Sequence, residues 1–420
     1  MSQKICFITV FAILLSVLAS SATPIVKDSL DTPQADSLRI SLITCAPGDE
    51  IYQLFGHTAL RVQQIGHNPF DWAFNYGMFS FDSGNFVYRF TKGETDYMLG
   101  VYDFEDFMID YVMRGSTVVE QELNLTSVEK ERLLALLVEN AAPQNRVYRY
   151  NFLFDNCATR PRDRIEAVID GSIDWGNAEE SISFRDEIHR YGGNYDWFMF
   201  GIDLALGKDL DRDATWQEQM FIPMILQDAF NQAVVCRSDS LQTVTEPLVR
   251  METVLFQADS SPVLPPTQWY FSSLFIALLL LVVAGGITYV NLQYRRVSLW
   301  FDTVFYGLCF VGGCIIYFLI FFSEHPATTV NFNALWLSPF ALIAAVVPYI
   351  RPLQIVAKWY HFVNLGALAL FLIIAVLQIQ HFNIAVYPLI GVSILRSYNY
   401  ITIYRISTRT YKPASLHRNE

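Results

Sequence analysis

Cys157 and His57 stand a hundred positions apart in a 420-residue chain, and the setting of each fits covalent chemistry. Cys157 follows an extended aromatic run, Tyr150-Asn151-Phe152-Leu153-Phe154, which stops at Asp155-Asn156, two residue types that favour helix N-caps. An arginine-rich amphipathic segment then runs to about Ile169. A thiol in the first turn of a helix meets free backbone N–H groups and the positive end of the dipole, so its pKa is expected to fall. Upstream, Phe55-Gly56-His57-Thr58 puts His57 at the start of a strand. A cysteine with a histidine base performs acyl transfer, in which the sulfur attacks an ester or amide carbonyl and forms a thioester. Water as the acceptor makes a hydrolase, and an amine makes an N-acyltransferase. The competing reading makes Cys157 a small buried hydrophobe and His57 a satisfied strand histidine.

Those two side chains need a scaffold. Leu38 to Thr44 reads as a strand, His57 to Ile65 as a second and Asp71 to Gly77 as a third, with Gly66-His67-Asn68-Pro69 as the turn between the last two. That hairpin brings Asn75 beside His57, where its amide would orient the imidazole. Phe86 to Phe90 is a candidate fourth strand, and Phe104 to Arg114 has helical spacing. Ser116 to Leu123 alternates as a strand does. Thr126-Ser127-Val128-Glu129 is a capping box that opens an amphipathic helix ending before Pro143. Arg146 to Phe154 reads as extended, Tyr195 to Leu206 as a helix, and Gln219 to Val235 as another with a kink at Pro223. Pro161 threatens a kink just after Cys157.

Composition divides the chain in two. Residues 1–22 read as a secretory signal, with Lys4 ahead of an apolar run and small residues up to Ala22. Residues 23–257 form an exported domain, 258–268 a Pro/Ser-rich linker, 269–404 five apolar spans and 405–420 a cytoplasmic tail. Thr23 to Gln268 carries 19 Lys+Arg against 38 Asp+Glu, which argues against nucleic acid as a partner. Lys and Arg of the membrane half fall on alternate loops, at Arg295-Arg296, at Arg351 and Lys358, and in the tail. The positive-inside rule therefore puts the amino-terminal domain outside. Arg396 lies near enough to the inner face to snorkel. On the outer side, Ser323 to Asn333 is the most polar loop, either a mouth for a polar head group or a solvated turn. Cys45, Cys157 and Cys236 are the exported cysteines, and one arrangement is a Cys45–Cys236 disulfide that leaves Cys157 free. Histidine and cysteine spacing offers no metal site, and no cofactor is expected.

The order His57, Asn75, Cys157 resembles the circularly permuted NlpC-type and lecithin:retinol acyltransferase-like group of papain-like α+β folds. More specifically, Phe-Gly-His-Thr at 55–58, Phe-Asn-Tyr-Gly at 74–77, Phe-Asp-Asn-Cys-Ala-Thr-Arg at 154–160 and Glu-His-Pro at 324–326 resemble the Bacteroidetes-type lipoprotein N-acyltransferase family. The resemblance implies a bacterial inner-membrane protein with its thiol domain in the periplasm and an all-α five-helix transmembrane domain. It implies transfer of a fatty acyl chain from a phospholipid to the α-amine of a diacylated lipoprotein. Cys157 would be the nucleophile, His57 the base and Asn75 the orienter. Arg160 and Arg162 would grip the lipid phosphate, with Tyr76, His325 and Asn331 as further substrate contacts; Arg164 shares that helix. Salt bridges within the helix compete for the same arginines. A membrane-tethered cysteine hydrolase acting on cell-wall peptide or lipid ester is the alternative, although a peptidase needs only a tether and not five spans.

Overall fold

The computed structural model describes residues 38–66, 68–79, 84–178, 180–239, 242–259 and 266–410. The signal segment, the polar leader, His67, the middle of the linker and the last ten residues lie outside them. The amino-terminal half is built on a seven-stranded antiparallel sheet. In chain order its strands are β1 Leu38–Cys45, β2 His57–Gln64, β3 Phe70–Met78, β4 Asp96–Asp103, β5 Val118–Leu123, β6 Val147–Arg149 and β10 Val249–Phe256. Across the sheet the order is β10-β5-β1-β2-β3-β4-β6. β7 Ser172–Asp174, β8 Val234–Asp239 and β9 Gln242–Pro247 form a separate small sheet.

Strand periodicity assigns the two faces of the large sheet. Ile40, Leu42, Leu60, Val62, Phe74 and Tyr76 face a core shared with helix Ser127–Ala141, the Cys157 segment and helix Pro223–Gln232. Ile43, Cys45, Ala59 and Ala73 face the opposite way, onto Phe104, Phe107 and Tyr111 of a single helix. β1 is central and covered on both faces, which explains its almost unbroken apolar run. His57 and Asn75 belong to the second face, at the end of the sheet where β2 begins and β3 finishes.

Helices are numbered here as α1 Phe86–Lys92, α2 Phe104–Met113, α3 Ser127–Ala141, α4 Thr159–Glu166, α5 Phe184–Gly192, α6 Asp196–Ala205, α7 Trp216–Gln219 and α8 Pro223–Gln232. The capping box is complete: the Thr126 hydroxyl accepts from the Glu129 N–H and the Glu129 carboxylate from the Thr126 N–H. Two expected elements differ. Phe86 to Phe90 is helical, not extended, and closes at Gly93 with φ +82°; a five-residue aromatic run carries too little periodicity to separate the two. The fourth strand is instead Asp96–Asp103. Pro223 starts α8 where a kink was expected, because a first-turn proline has no helical hydrogen bond to lose.

The carboxy-terminal half is helical: α9 Ser273–Tyr294, α10 Leu299–Phe321, α11 Ala341–Val346, α12 Gln354–Val376 and α13 Val386–Thr410. Three described helical stretches are long and apolar enough to cross a bilayer: Ser273–Tyr294, Leu299–Phe321 and Arg351–Val376. The expected third span is broken into short pieces. It starts with a 3-10 turn at Phe332–Leu335, continues as the six-residue α11 and closes with another 3-10 turn at Val347–Tyr349, with Pro339 and Pro348 as punctuation. α13 is long enough at 25 residues but polar inside, with Ser393, Arg396, Ser397 and Asn399 buried. Arg396 does not snorkel. It is fully buried, with Nε and Nη2 donating to the Asp302 carboxylate at 2.5 and 3.0 Å and Nη1 donating to Thr288 at 3.0 Å. A cation sealed from water needs such a partner.

α6 joins the halves. Phe200 and Leu204 pack into the core of the membrane half, and Asp196 accepts from the first N–H of α9 at 2.6 Å. Behind α6, Arg185 donates to Asp203 at 2.9 Å and Asp211 at 2.5 Å, while Asn383 and the His381 N–H reach those same two carboxylates from the membrane half.

Candidate active site

His57 opens β2, and the β2–β3 register, Leu60 against Phe74, sets Asn75 diagonally across from it on the same face. The imidazole Nε2 lies 2.6 Å from Asn75 Oδ1. Since that oxygen only accepts, Nε2 carries the proton and Nδ1 is left as the basic nitrogen. Asn75 Nδ2 rests 3.2 Å from Met78 Sδ. The Tyr111 ring stacks on the imidazole with centroids 6.2 Å apart and planes at 15°, and the Arg114 guanidinium lies 4.5 Å over the Tyr111 ring. His57 is half-buried. Burial, helped by the Arg114 charge and opposed by the Asn75 bond, lowers its pKa to about 4.

Cys157 reaches the same end of the sheet from a loop held by its neighbour. Asn156 is buried, and its Oδ1 accepts from the N–H groups of Ala158 and Thr159 at 2.8 and 2.9 Å. Its Nδ2 donates to the carbonyls of Phe152 and Phe221 at 2.7 and 2.8 Å. Asn156 therefore ties the turn ahead of the helix, whose N-cap is Ala158 and whose first residue is Thr159, so Cys157 precedes the first turn instead of sitting in it. Pro161 then occupies the third helical position, where its missing N–H costs nothing. The backbone N–H groups of Thr58, the residue after His57, and of Cys157 itself lie where they favour the sulfur's anionic form. They lower the thiol pKa, yet burial outweighs them and raises it to about 11, against the fall expected from the dipole. Gly77 suits the turn of the strand beside Cys157. Its φ of +90° favours glycine, while a Cβ there would make only ordinary contact, 3.6 Å from Cys157 Cβ and 3.4 Å from the Tyr150 ring.

Other expected site residues lie elsewhere. Arg160 donates to Asp155 at 2.5 and 2.8 Å and covers the Tyr148 ring at 3.4 Å, while Arg162 donates to Asp163 and to the Gln217 carbonyl. Both guanidinium groups are thus engaged within the protein. Arg160 also borders, with Arg164, an open cleft of about 340 Å³. Tyr76 is fully buried on the core face and donates its hydroxyl to Asn140 at 3.0 Å. His325 and Asn331 serve the junction between the halves. The His325 ring donates to the Phe90 carbonyl at 2.6 Å, and Asn331 donates to the Leu204 and Ala205 carbonyls at 2.7 and 3.1 Å. Cys45 and Cys236 are both free, so the arrangement that paired them is not formed. Cys45 sits at the site end of β1, paired with His57 across the strands. Tyr111, Gly77 and Arg114 complete the site, and only the helix end at Arg114-Gly115 and the glycine of Phe-Asn-Tyr-Gly hinted at them in the sequence. Among the described residues no cluster of ligands could hold a metal.

No curated protein and no solved structure matches the chain. Two family models do. The Lnb N-terminal periplasmic domain matches residues 27–187, which include His57, Asn75 and Cys157, and the Lnb transmembrane domain matches residues 266–407. This architecture fits a membrane-bound enzyme. With both parts present in order along one polypeptide, the protein belongs to the Lnb family.

Proposed function

We propose that the protein is a lipoprotein N-acyltransferase of the bacterial inner membrane that moves a fatty acyl chain from a phospholipid, through a thioester on Cys157, to the α-amine of a diacylated lipoprotein. The observation that carries this reading is the convergence of Cys157, packed beside Gly77 of β3, with an imidazole whose Nε2 is held by Asn75 of the same strand. That leaves Nδ1 to accept the thiol proton as sulfur attacks the ester carbonyl. The lysophospholipid alcohol leaves with the proton returned from His57, and the acyl group stays on sulfur. In the second half-reaction His57 takes a proton from the acceptor amine, nitrogen attacks the thioester carbonyl, and Cys157 leaves and is reprotonated. The N–H groups of Thr58 and Cys157 are the available donors to the carbonyl oxygen as it gains charge.

Topology supports the same reading. Arg295, Arg296, Arg351 and Lys358 lie at or near the helix ends opposite those that meet the amino-terminal domain, whereas Ser323–Asn331 and His381–Asn383 touch it. By positive-inside logic this arrangement supports a thiol on the periplasmic side. The His57–Asn75 hairpin and the late Cys157 loop agree with a permuted NlpC-like ancestry. The test is to incubate the full-length protein with phospholipid and a diacylated lipopeptide and weigh the products. Wild type should yield the N-acylated peptide and an acyl mass on Cys157, and Cys157→Ala and His57→Ala neither. N-acylation undiminished in both variants removes the reading, and cleavage of cell-wall peptides by wild type would favour the hydrolase.

A further inference from the structure

A file of aromatic rings runs from the membrane half to the sulfur. Phe90 meets His325 of the outer loop with ring centroids 5.6 Å apart. From there Phe90 to Phe86 is 6.0 Å, Phe86 to Phe79 is 5.9 Å, Phe79 to Tyr97 is 5.0 Å and Tyr97 to Tyr150 is 4.6 Å. Tyr150 in turn lies against Gly77, the residue that Cys157 covers. Beside these rings runs a groove of about 150 Å³ lined by Met78, Phe79, Phe86, Phe90, Tyr97 and Met98 among others. Its inner end is Met78, in contact with Asn75 of the active site. Its charged rim is self-neutralised, with Arg89 donating to Asp96 at 2.8 Å and lying 3.9 Å from Glu94.

The helix that forms the outer wall, α1, is tied to the outer end of the membrane half. Ser323 donates to the Thr91 carbonyl at 3.0 Å, the Glu324 N–H donates to the Lys92 carbonyl at 2.7 Å, and Tyr88 faces Phe318 at 6.2 Å. Val87, Tyr88 and Phe90 are exposed on it, as are Phe321 and Phe322 at the adjoining end of α10. Apolar side chains exposed at this level are at home against acyl chains.

We propose that this groove holds the acyl chain of the donor phospholipid and delivers its ester carbonyl to Cys157. The inference rests on the thioester reading above and adds its chain-binding site. Its occupant is an alkyl chain, because the walls are rings and thioethers whose few charges already have partners. It is a bilayer lipid, because the groove opens where α1 meets the end of a membrane-crossing helix.

Single-turnover acylation of the full-length protein in nanodiscs, without acceptor, tests this. The probes are dipalmitoyl- and dioctanoyl-phosphatidylethanolamine, read as acyl mass on Cys157. Val147 borders the groove and is exposed on an edge strand, so Val147→Trp narrows the groove, and Met98→Ala widens it. The palmitoyl-to-octanoyl rate ratio is expected to fall about tenfold in Val147→Trp and to rise in Met98→Ala, since each methylene group in an apolar pocket discriminates on that scale. Met98→Ala decides alone if Val147→Trp does not assemble. An unchanged ratio overturns the proposal. So does a change seen only when acceptor is added to preformed thioester, which would assign the groove to the acceptor's lipid. Wild type that acquires no acyl mass from either donor removes the thioester reading itself, a different result from an acylated enzyme indifferent to chain length.

Discussion

At Cys157 two opposing influences meet, and burial prevails over two N–H groups, so the resting thiol is neutral at pH 7. His57, displaced in the other direction, is neutral as well. The resting pair is therefore uncharged, and the proton moves only when a substrate arrives. The acylation rate should stay level through neutral pH and fall on the acid side near pH 4, where His57 becomes protonated. Asn75→Ala removes the one contact that raises the His57 pKa, so its acid limb should move lower still. It should also slow acylation by about tenfold, part of what a positioned base supplies. A pH–rate profile of both proteins measures this, and an acid limb that does not move with Asn75→Ala contradicts it. Stability follows the same protonation. The folded His57 pKa lies below the ordinary 6.5, so the unfolded chain takes up the proton first, and the native state loses stability as pH falls from 6.5 towards 4. Thermal unfolding across that window should show the loss, and His57→Gln should flatten it.

Among the elements, the Cys157 loop depends on Asn156 more than on the helix behind it. Asn156→Ala strands the Phe152 and Phe221 carbonyls and two N–H groups, a loss of about 2–3 kcal/mol in a denaturant titration. The same substitution should slow acylation strongly, because the four Asn156 bonds hold the turn that carries the sulfur. How far such features could be read from the chain varies with their range. Thr126 to Glu129 was readable because a capping box is a local reciprocal bond, and the Asn75–His57 pairing because a short turn fixes a hairpin's register. The start of α4 was not, because Asn156 ties an irregular turn before helical geometry is reached, and the dipole argument needed the cysteine inside that geometry. β4 escaped notice because Phe86 to Phe90, more apolar and just upstream, competed for the same place in the sheet. The short strands β7 to β9 left no periodic signal at all.

For the molecule as a whole, the buried ion pairs connect residues too distant in sequence for any pattern to reveal. Arg396 finds Asp302 across 94 positions, and without that partner the snorkelling expectation was the reasonable one. Arg185 binds Asp203 and Asp211, the two carboxylates that also hold Asn383 and His381 of the membrane half. Arg185→Ala removes the guanidinium shared by both buried acids and leaves Asp203 only His189 and Asp211 only the His381 ring as basic partners, at a cost of about 3 kcal/mol. Calorimetry of the detergent-solubilised protein should then show the two halves melting separately where wild type melts as one. A second weld lies at Gly93, whose φ is +82° and where an added Cβ would fall 2.8 Å from the His325 backbone nitrogen, so a side chain does not fit. Gly93→Val should loosen that seam, with faster hydrogen exchange in residues 86–93 and 323–331.

On the proposed function, these seams fix the thiol domain to the ends of the helices, so the sulfur would stand at a constant height over the hydrocarbon and the lipid would have to rise to it. A thicker or thinner bilayer shifts the ester relative to that fixed point, so turnover should peak in vesicles whose hydrophobic thickness matches the helices and decline on either side.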